Sequence, residues 1–397
     1  MTEFIQGILV FSVAFIVTFL MVPVSKRIAL KIGAIDYPSD GRINTKPIPR
    51  CGGIALYCGL LAAVLVMFIG TSFFNWEMLN LYFLQEVNYP LFFAGVTLIF
   101  AVGLVDDIVQ LSPAKKLVGQ VLAAIVVVFA GVSISVIKSI AGTAFINLGW
   151  LDYPISVVFL VVFVNIINLI DGLDGLAAGI VAIIALSLLY MVLQRGNMTL
   201  AFACVALIAI CLAFLFYNFA PASIFMGDSG SYLLGLILGV IAISGVMRTQ
   251  SLMVSLVPIV IAGIPILDTL SAVIRRIRGH EPVQKRDLEH IHHRLVGVGL
   301  KQREAVFILY TCSLVLAVIG IFVSNVSREV SLIILIALAV IVSFAIWRFG
   351  LFRPVLKHYY DGKERRDPKR DESGSAQEVN TNCNENTTEN KIDNSDG

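Results

Sequence analysis

Six aspartates stand where an apolar chain would not be expected to carry them. "GLVDDIVQ" ends an apolar stretch with Asp106 and Asp107. "NLIDGLDGLAAG" places Asp171 and Asp174 directly after residues 154–170, which hold no charged side chain. "NFAPASIFMGDSGS" carries Asp228, and "IPILDTL" carries Asp268. Charge inside or at the edge of a membrane helix is costly and marks function by default. Bases and imidazoles accompany the acids. "GHEPVQKRDLEHIHHRL" contains His280, His290, His292 and His293 with Lys285, Arg286 and Arg294, and "DYPSDGRINTKPIPRCGG" contains Arg42, Lys46 and Arg50 before two glycines. Carboxylates suit Mg²⁺, which prefers oxygen ligands and also coordinates substrate phosphates. Lys, Arg and glycine-rich backbone suit phosphate oxygens. The combination describes phosphoryl transfer, in which catalysis is mainly positioning and charge neutralisation. Acids held at a bilayer edge imply a substrate anchored there, which is a lipid phosphate.

Each motif also has a plainer reading. The Asp106–Asp107 pair could be a solvated helix end, and Asp171 with Asp174 a glycine-rich turn. "GDSG" is shared with a serine-protease nucleophile loop, but here it joins two apolar segments with no double-barrel pattern. "HIHH" could hold a transition metal, since imidazole suits such ions. The basic run Arg275–Arg278 could be only a topology signal. Acids within membrane helices also occur in secondary transporters, but those place charge near the midplane, often in repeated halves. This chain shows no repeat.

The elements that must position these residues are membrane helices. The 397 residues are 58% hydrophobic and 14% charged, with a mean hydropathy of +0.88, against roughly a quarter charged in soluble domains. A spanning helix needs about 20 apolar residues. Eleven segments qualify: 4–24, 52–70, 90–105, 115–135, 153–170, 175–193, 199–217, 230–246, 252–273, 304–324 and 330–348. The fold class is an all-α polytopic membrane protein. With the N-terminus outside, 25 of the 29 Lys and Arg fall on inner segments, the arrangement the positive-inside rule requires. The C-terminus is then cytoplasmic, and all six acids lie at cytoplasmic helix ends, although acids played no part in the topology. No basic residue precedes the first apolar run, so that run reads as a span and not as a cleaved leader. The six cysteines form no CxxC pair, which argues against a zinc knuckle or disulfide framework. Residues 1–350 read as one membrane domain, 351–370 as a basic juxtamembrane segment suited to anionic headgroups, and 371–397 as a disordered polar tail. Nothing points to nucleic acid.

The ordered set "PIPRCGG", "DD", "NLIDGLDGLAAG", "NFAPASIFMGDSGS" and "HIHHRL" resembles the polyprenyl-phosphate N-acetylhexosamine-1-phosphate transferases of glycosyltransferase family 4, over residues 36–300. The "HIHH" spelling is similar to the branch using UDP-N-acetylglucosamine and undecaprenyl phosphate; the branch transferring phospho-N-acetylmuramoyl-pentapeptide usually reads three consecutive histidines. The resemblance implies a multi-pass enzyme of the bacterial plasma membrane that forms undecaprenyl-diphospho-N-acetylglucosamine and UMP. It would thereby initiate a teichoic-acid or O-antigen type of glycopolymer. It implies Mg²⁺ as cofactor, with Mn²⁺ as a substitute, and a homodimer as the assembly. Asp228 becomes the main metal ligand, with Asp171. Asp106 and Asp107 attend the lipid phosphate, one as base or nucleophile, by direct attack or through a phospho-aspartate. His290, His292 and His293 face the sugar and diphosphate. Asn168, Asp171 and Asp174 line the nucleotide cleft. Asn218 and Phe225 hold the uracil, and Lys116, or its neighbour Lys115, binds phosphate. Lys46, Gly227, Ser231 and Arg276 complete the substrate contacts. Gly41 and Asn44 stand where relatives often have Arg and His.

Overall fold

A computed structural model describes residues 2–38, 46–76, 87–134, 136–138, 145–247 and 300–348. Ten of the eleven expected apolar segments appear there as helices: α1 (Thr2–Ile32), α2 (Gly53–Phe74), α3 (Tyr89–Val109), α4 (Pro113–Phe129), α5 (Asp152–Ile170), α6 (Leu176–Leu193), α7 (Met198–Asn218), α8 (Gly227–Ala242), α9 (Gln302–Asn325) and α10 (Arg328–Arg348). The expected span 252–273, Asp268, the histidine cluster and both C-terminal segments lie outside the described residues. Among the described residues, eight helices are long and apolar enough to cross a membrane. Two short antiparallel pairs depart from a purely helical reading: β1 (Ile35–Asp36) with β2 (Ile48–Pro49), and β3 (Val136–Lys138) with β4 (Phe145–Asn147).

Helix starts follow local chemistry. Asn88 and Asn197 each accept the backbone N–H three residues on, from Leu91 and Leu200, at 3.1 Å, satisfying a donor that the first turn would otherwise leave orphaned. Pro90 and Pro113 occupy first-turn positions, where a missing N–H is harmless.

The helix at the centre is α8. Every residue from Gly227 to Ala242 is buried, and its neighbours include α3, α5 and α2. Its mean hydropathy is 1.4, against 2.0 to 2.8 for the other seven spans, because it faces protein and not lipid. In lipid, helices associate through close packing more than by hydrophobic exclusion, and small residues permit it. A Cβ at Gly235 would lie 2.7 Å from the Val164 Cα of α5. At Gly103 of α3 it would lie 2.5 Å from the Ser229 Cα and 2.6 Å from the Asp228 carbonyl. At Gly53 of α2 it would lie 2.3 Å from the Gly230 nitrogen. The first turn of α8 is thus clasped from two sides by backbone.

Gly103→Ala forces α3 and α8 apart, because the obstructing atoms are backbone and cannot rotate away. The expected result is a loss of about 1–3 kcal/mol, read as a lowered thermal midpoint of the detergent-solubilised protein. An unchanged midpoint would show that the contact is slack.

Candidate active site

Four helix termini converge at one end of the bundle: the C-terminal ends of α3 and α5 and the N-terminal ends of α4 and α8. Asp106 and Asp107 come from α3, Lys116 from α4, Asn168 from α5 and Asp228 from α8. The Lys116 ammonium lies between two carboxylates, 2.5 Å from Asp106 Oδ2 and 2.8 Å from Asp228 Oδ2. Asn168 Nδ2 donates to Asp228 Oδ1 at 2.9 Å and to Ser231 Oγ at 3.1 Å. The Tyr232 hydroxyl donates to Asp228 Oδ2 at 3.1 Å. The other Asp106 oxygen accepts the Leu111 N–H at 2.7 Å. Asp107 is engaged differently. Its Oδ1 accepts the Asp228 N–H at 2.7 Å, and its Oδ2 accepts the Ser229 N–H at 3.1 Å and the Ser229 hydroxyl at 2.6 Å. Of the two lysines the sequence leaves open, Lys116 joins the acids and Lys115 is exposed.

A second group ties the loops together. Asp174 Oδ2 accepts the Ala222 N–H at 2.9 Å. Asn218 Oδ1 accepts the Gly175 N–H at 3.0 Å, and its Nδ2 donates to the Ile224 carbonyl at 2.9 Å. The Asn218 side chain is buried, and these two bonds join loop 171–175 to loop 219–226. Arg303 Nε donates to the Ala220 carbonyl at 2.7 Å, and the Tyr310 hydroxyl to the Gly175 carbonyl at 2.5 Å. Phe225 differs from Asn218. Its backbone is pinned, donating to the Pro49 carbonyl and accepting from Gly52, at 2.9 and 3.0 Å, while its side chain is only partly buried. Lys46 lines a cavity of about 460 Å³ together with Lys26, Pro49, Asp174, Ser223 and Gln302.

Arg50 is a cation near the acids that spacing alone did not single out. Its guanidinium is 3.5 Å from Asp36, and its N–H donates to the Ala34 carbonyl at 2.9 Å. Burial works against its charge, but Asp107, Asp228, Asp36 and Asp106 more than offset this and raise its pKa. A long-range strand pairing places it, so no local pattern could reveal it. Tyr232 was discoverable, since it lies one helical turn from Asp228 on the same face. Asp171, in the loop after α5, carries a pKa raised well above the usual carboxylate range, through burial first and then the negative charge of Asp228. Asp174 is raised too, by burial.

A model of the family described as glycosyl transferase family 4 matches residues 89–246, the interval holding all five of the convergent residues from α3, α4, α5 and α8. A Bacillus subtilis protein described as a probable undecaprenyl-phosphate N-acetylglucosaminyl 1-phosphate transferase is 35% identical over 359 residues, covering 89% of this chain and 96% of the relative. The chain belongs to glycosyl transferase family 4. Two further relatives are a Mycolicibacterium smegmatis decaprenyl-phosphate N-acetylglucosaminephosphotransferase, 32% identical over 75% of this chain and 77% of its own length, and a Haemophilus influenzae undecaprenyl-phosphate alpha-N-acetylglucosaminyl 1-phosphate transferase, 29% identical over 78% and 84%. In this glycosyl transferase family 4 chain, His290, His292, His293 and Arg276 lie outside the described residues, so their placement relative to the acids is not part of the geometry above.

The Asp171 shift makes a stability prediction for the family 4 fold. A carboxyl whose folded pKa lies above its unfolded value binds more protons folded than unfolded. Stability therefore falls as pH rises from the ordinary carboxylate range towards the raised folded pKa. Asp171→Asn removes that dependence. In metal-free buffer its thermal midpoint should exceed wild type near pH 7, and the difference should vanish near pH 4. A mutant less stable than wild type at pH 7 would overturn this.

Proposed function

We propose that the protein transfers N-acetylglucosamine 1-phosphate from UDP-N-acetylglucosamine to undecaprenyl phosphate, releasing UMP. The observation that carries this is the cluster of Asp106, Lys116, Asn168 and Asp228 at one end of a membrane bundle, in a chain whose relatives are named for this transfer. The charge bias of the loops puts that end in the cytoplasm of a bacterial cell, where nucleotide sugars are available. The product would initiate a cell-envelope glycopolymer.

An oxygen of the lipid phosphate attacks the phosphorus next to the sugar; the bond from that phosphorus to the bridging oxygen breaks, and UMP leaves. Lys116 offers its positive charge to the phosphates, and Asn168 and Tyr232 hold the carboxylate of Asp228 in one orientation. Asp106 adjoins Lys116 and is the acid placed to meet a proton on the acceptor. A phosphate monoester is largely ionised near neutral pH, its second pKa being about 6, so positioning supplies more of the rate than proton removal. Arg50 adds a cation beside the acids. The partly exposed ring of Phe225 suits stacking on uracil.

Mg²⁺ fits the donor set in kind. The oxygens are hard carboxylate ligands, and among the described residues no three His, Cys, Asp or Glu side chains converge to form a complete cage. Mg²⁺ is characteristically bound by one or two carboxylates with substrate phosphates and water completing the shell. Asp228 and Asp171 would hold it, and it would supply neutralisation of the diphosphate.

The test is release of UMP by the purified protein given UDP-N-acetylglucosamine, a prenyl phosphate and Mg²⁺, with the lipid product identified by mass. A secondary transporter would release none. Asp228→Asn should lower turnover about 100- to 1,000-fold, the scale of losing one key electrostatic group, and near-normal turnover at limiting Mg²⁺ would remove Asp228 from the site. A phospho-enzyme trapped from labelled donor without lipid would overturn the direct attack.

Phe225→Ala should weaken UMP binding by about 1–3 kcal/mol, the scale of base stacking on aromatic side chains. The apparent affinity for prenyl phosphate should hold. Calorimetric titration of both ligands checks this, and normal UMP binding would place the uracil elsewhere.

A further inference from the structure

We propose that Asp107 is a positioning residue that seats the first turn of α8, and through it Asp228, without itself meeting substrate. The inference rests on the phosphotransfer reading above and divides the labour of its two adjacent acids.

Asp107 is only 3% exposed, and its two oxygens accept three hydrogen bonds, all from Asp228 and Ser229. The residue before α8, Met226, provides no side-chain cap. The acid delivered from α3 takes that place, satisfying N–H groups that would otherwise be orphaned and setting negative charge against the positive end of the helix dipole. Space around the carboxylate is closed. Gly227 has φ +74, and a Cβ there would fall 2.5 Å from both Asp107 oxygens, so glycine is required for the backbone angle and for the room. Gly103, one turn earlier on α3, meets the backbone of Asp228 and Ser229. A base or nucleophile must reach its substrate, and every hydrogen bond of this carboxylate runs to the first turn of α8, in a space that a single Cβ at Gly227 would close.

Adjacent helical residues point about 100° apart, and the pair divides accordingly. Asp106 reaches Lys116 and the Leu111 N–H, and Asp107 reaches α8. The two acids that look equivalent in sequence therefore have different partners and different duties.

The experiment compares wild type, Asp107→Asn, Asp107→Glu, Ser229→Ala, Asp228→Asn, the Asp107→Asn/Asp228→Asn double variant and the Ser229→Ala/Asp228→Asn double variant. Each is the full chain in lipid nanodiscs, assayed by UMP release. Asparagine keeps the shape and an acceptor oxygen but loses the charge, and should slow kcat about 10- to 30-fold, matching about 2 kcal/mol for a partly buried charge at a helix end. KM for both substrates should stay within about twofold, since substrate contacts are unchanged. Glutamate keeps the charge but cannot enter the closed seat, and should be slower than asparagine. Ser229→Ala, which removes one hydrogen bond and no charge, should slow kcat about 3- to 10-fold, the scale of about 1 kcal/mol. Each double variant should be no slower than Asp228→Asn alone, because residues acting as a unit are not additive.

A base or nucleophile would reverse the order, with Asp107→Glu the faster, Asp107→Asn recovering as pH rises, and losses multiplying in the Asp107→Asn/Asp228→Asn double variant. Any of these, or wild-type rates for Asp107→Asn, overturns the inference and leaves the phosphotransfer reading standing. Wild type releasing no UMP overturns both. Were Asp107→Asn to fail to fold, the Ser229→Ala loss and its disappearance in the Asp228→Asn background would decide the matter.

Discussion

Placing three carboxylates inside an apolar bundle is the constraint on which the remainder of this molecule depends. Asp106, Asp107 and Asp228 are each less than 10% exposed. Removing an ion from water costs several kcal/mol even after relaxation, and only good geometry with full hydrogen bonding recovers it. The compensation is divided among neighbours. Lys116 serves Asp106 and Asp228 together, Asn168 and Tyr232 complete Asp228, and the backbone and hydroxyl at the start of α8 satisfy Asp107. Lys116 alone does not balance three carboxylates, and the positive end of α8 and the guanidinium of Arg50 offset only part of the remainder. The surplus of negative charge also suits a site that draws in a cation together with its phosphates.

That electrostatic arrangement explains the packing. Hydrogen bonds of 2.6–3.1 Å from one helix to the backbone of another demand near-contact of the two chains, and only glycine permits it. Gly53 and Gly103 let α2 and α3 reach the first turn of α8, Gly227 makes room for the Asp107 carboxylate, and Gly235 lets α5 settle lower on the same helix. The small residues of α8 are thus a condition for the acids being where they are. Its lower hydropathy has the same origin, since a helix walled in by protein need not dissolve in lipid.

Much of this was legible from the chain. Apolar length located ten of the described helices, because the bilayer imposes a single scale on them. Helical spacing also relates Tyr232 to Asp228, one turn along α8. Lys116, Asn168 and Asp228 were named as site residues, and they meet. What spacing could not convey was partnership between elements. Asp106 and Asp107 read as equivalent, yet one faces a lysine and the other a helix terminus. Asn218 and Asp174 read as ligand-binding polar groups, and spacing did not show that they also tie loop backbone together. Arg50 was one basic residue among several in a loop until the β1–β2 pairing set it beside the acids. In each case the missing information was which distant backbone a side chain would meet.

The two sets of polar contacts suggest how rigidity is distributed. Around Asp228 the hydrogen bonds run between helices, which cannot move separately without breaking charged contacts in a low-dielectric interior. Around Asp174 and Asn218 they run between loops, reinforced from α9 by Arg303 and Tyr310. The first arrangement fixes reacting groups to within a hydrogen bond, as in-line displacement at phosphorus demands. The second holds loop 171–175 and loop 219–226 in register with each other while leaving the Phe225 side chain partly exposed and its backbone pinned. Both meet at the few residues from Phe225 to Asp228, where the partly exposed ring and the buried carboxylate are separated by only Met226 and Gly227. Gly227, with its left-handed backbone, is the point at which the chain turns from the loop framework into the helix framework. A side chain there would disturb the seat of Asp107 and the spacing between Phe225 and Asp228 at once. That shared position is why loop and helix must be read as one site.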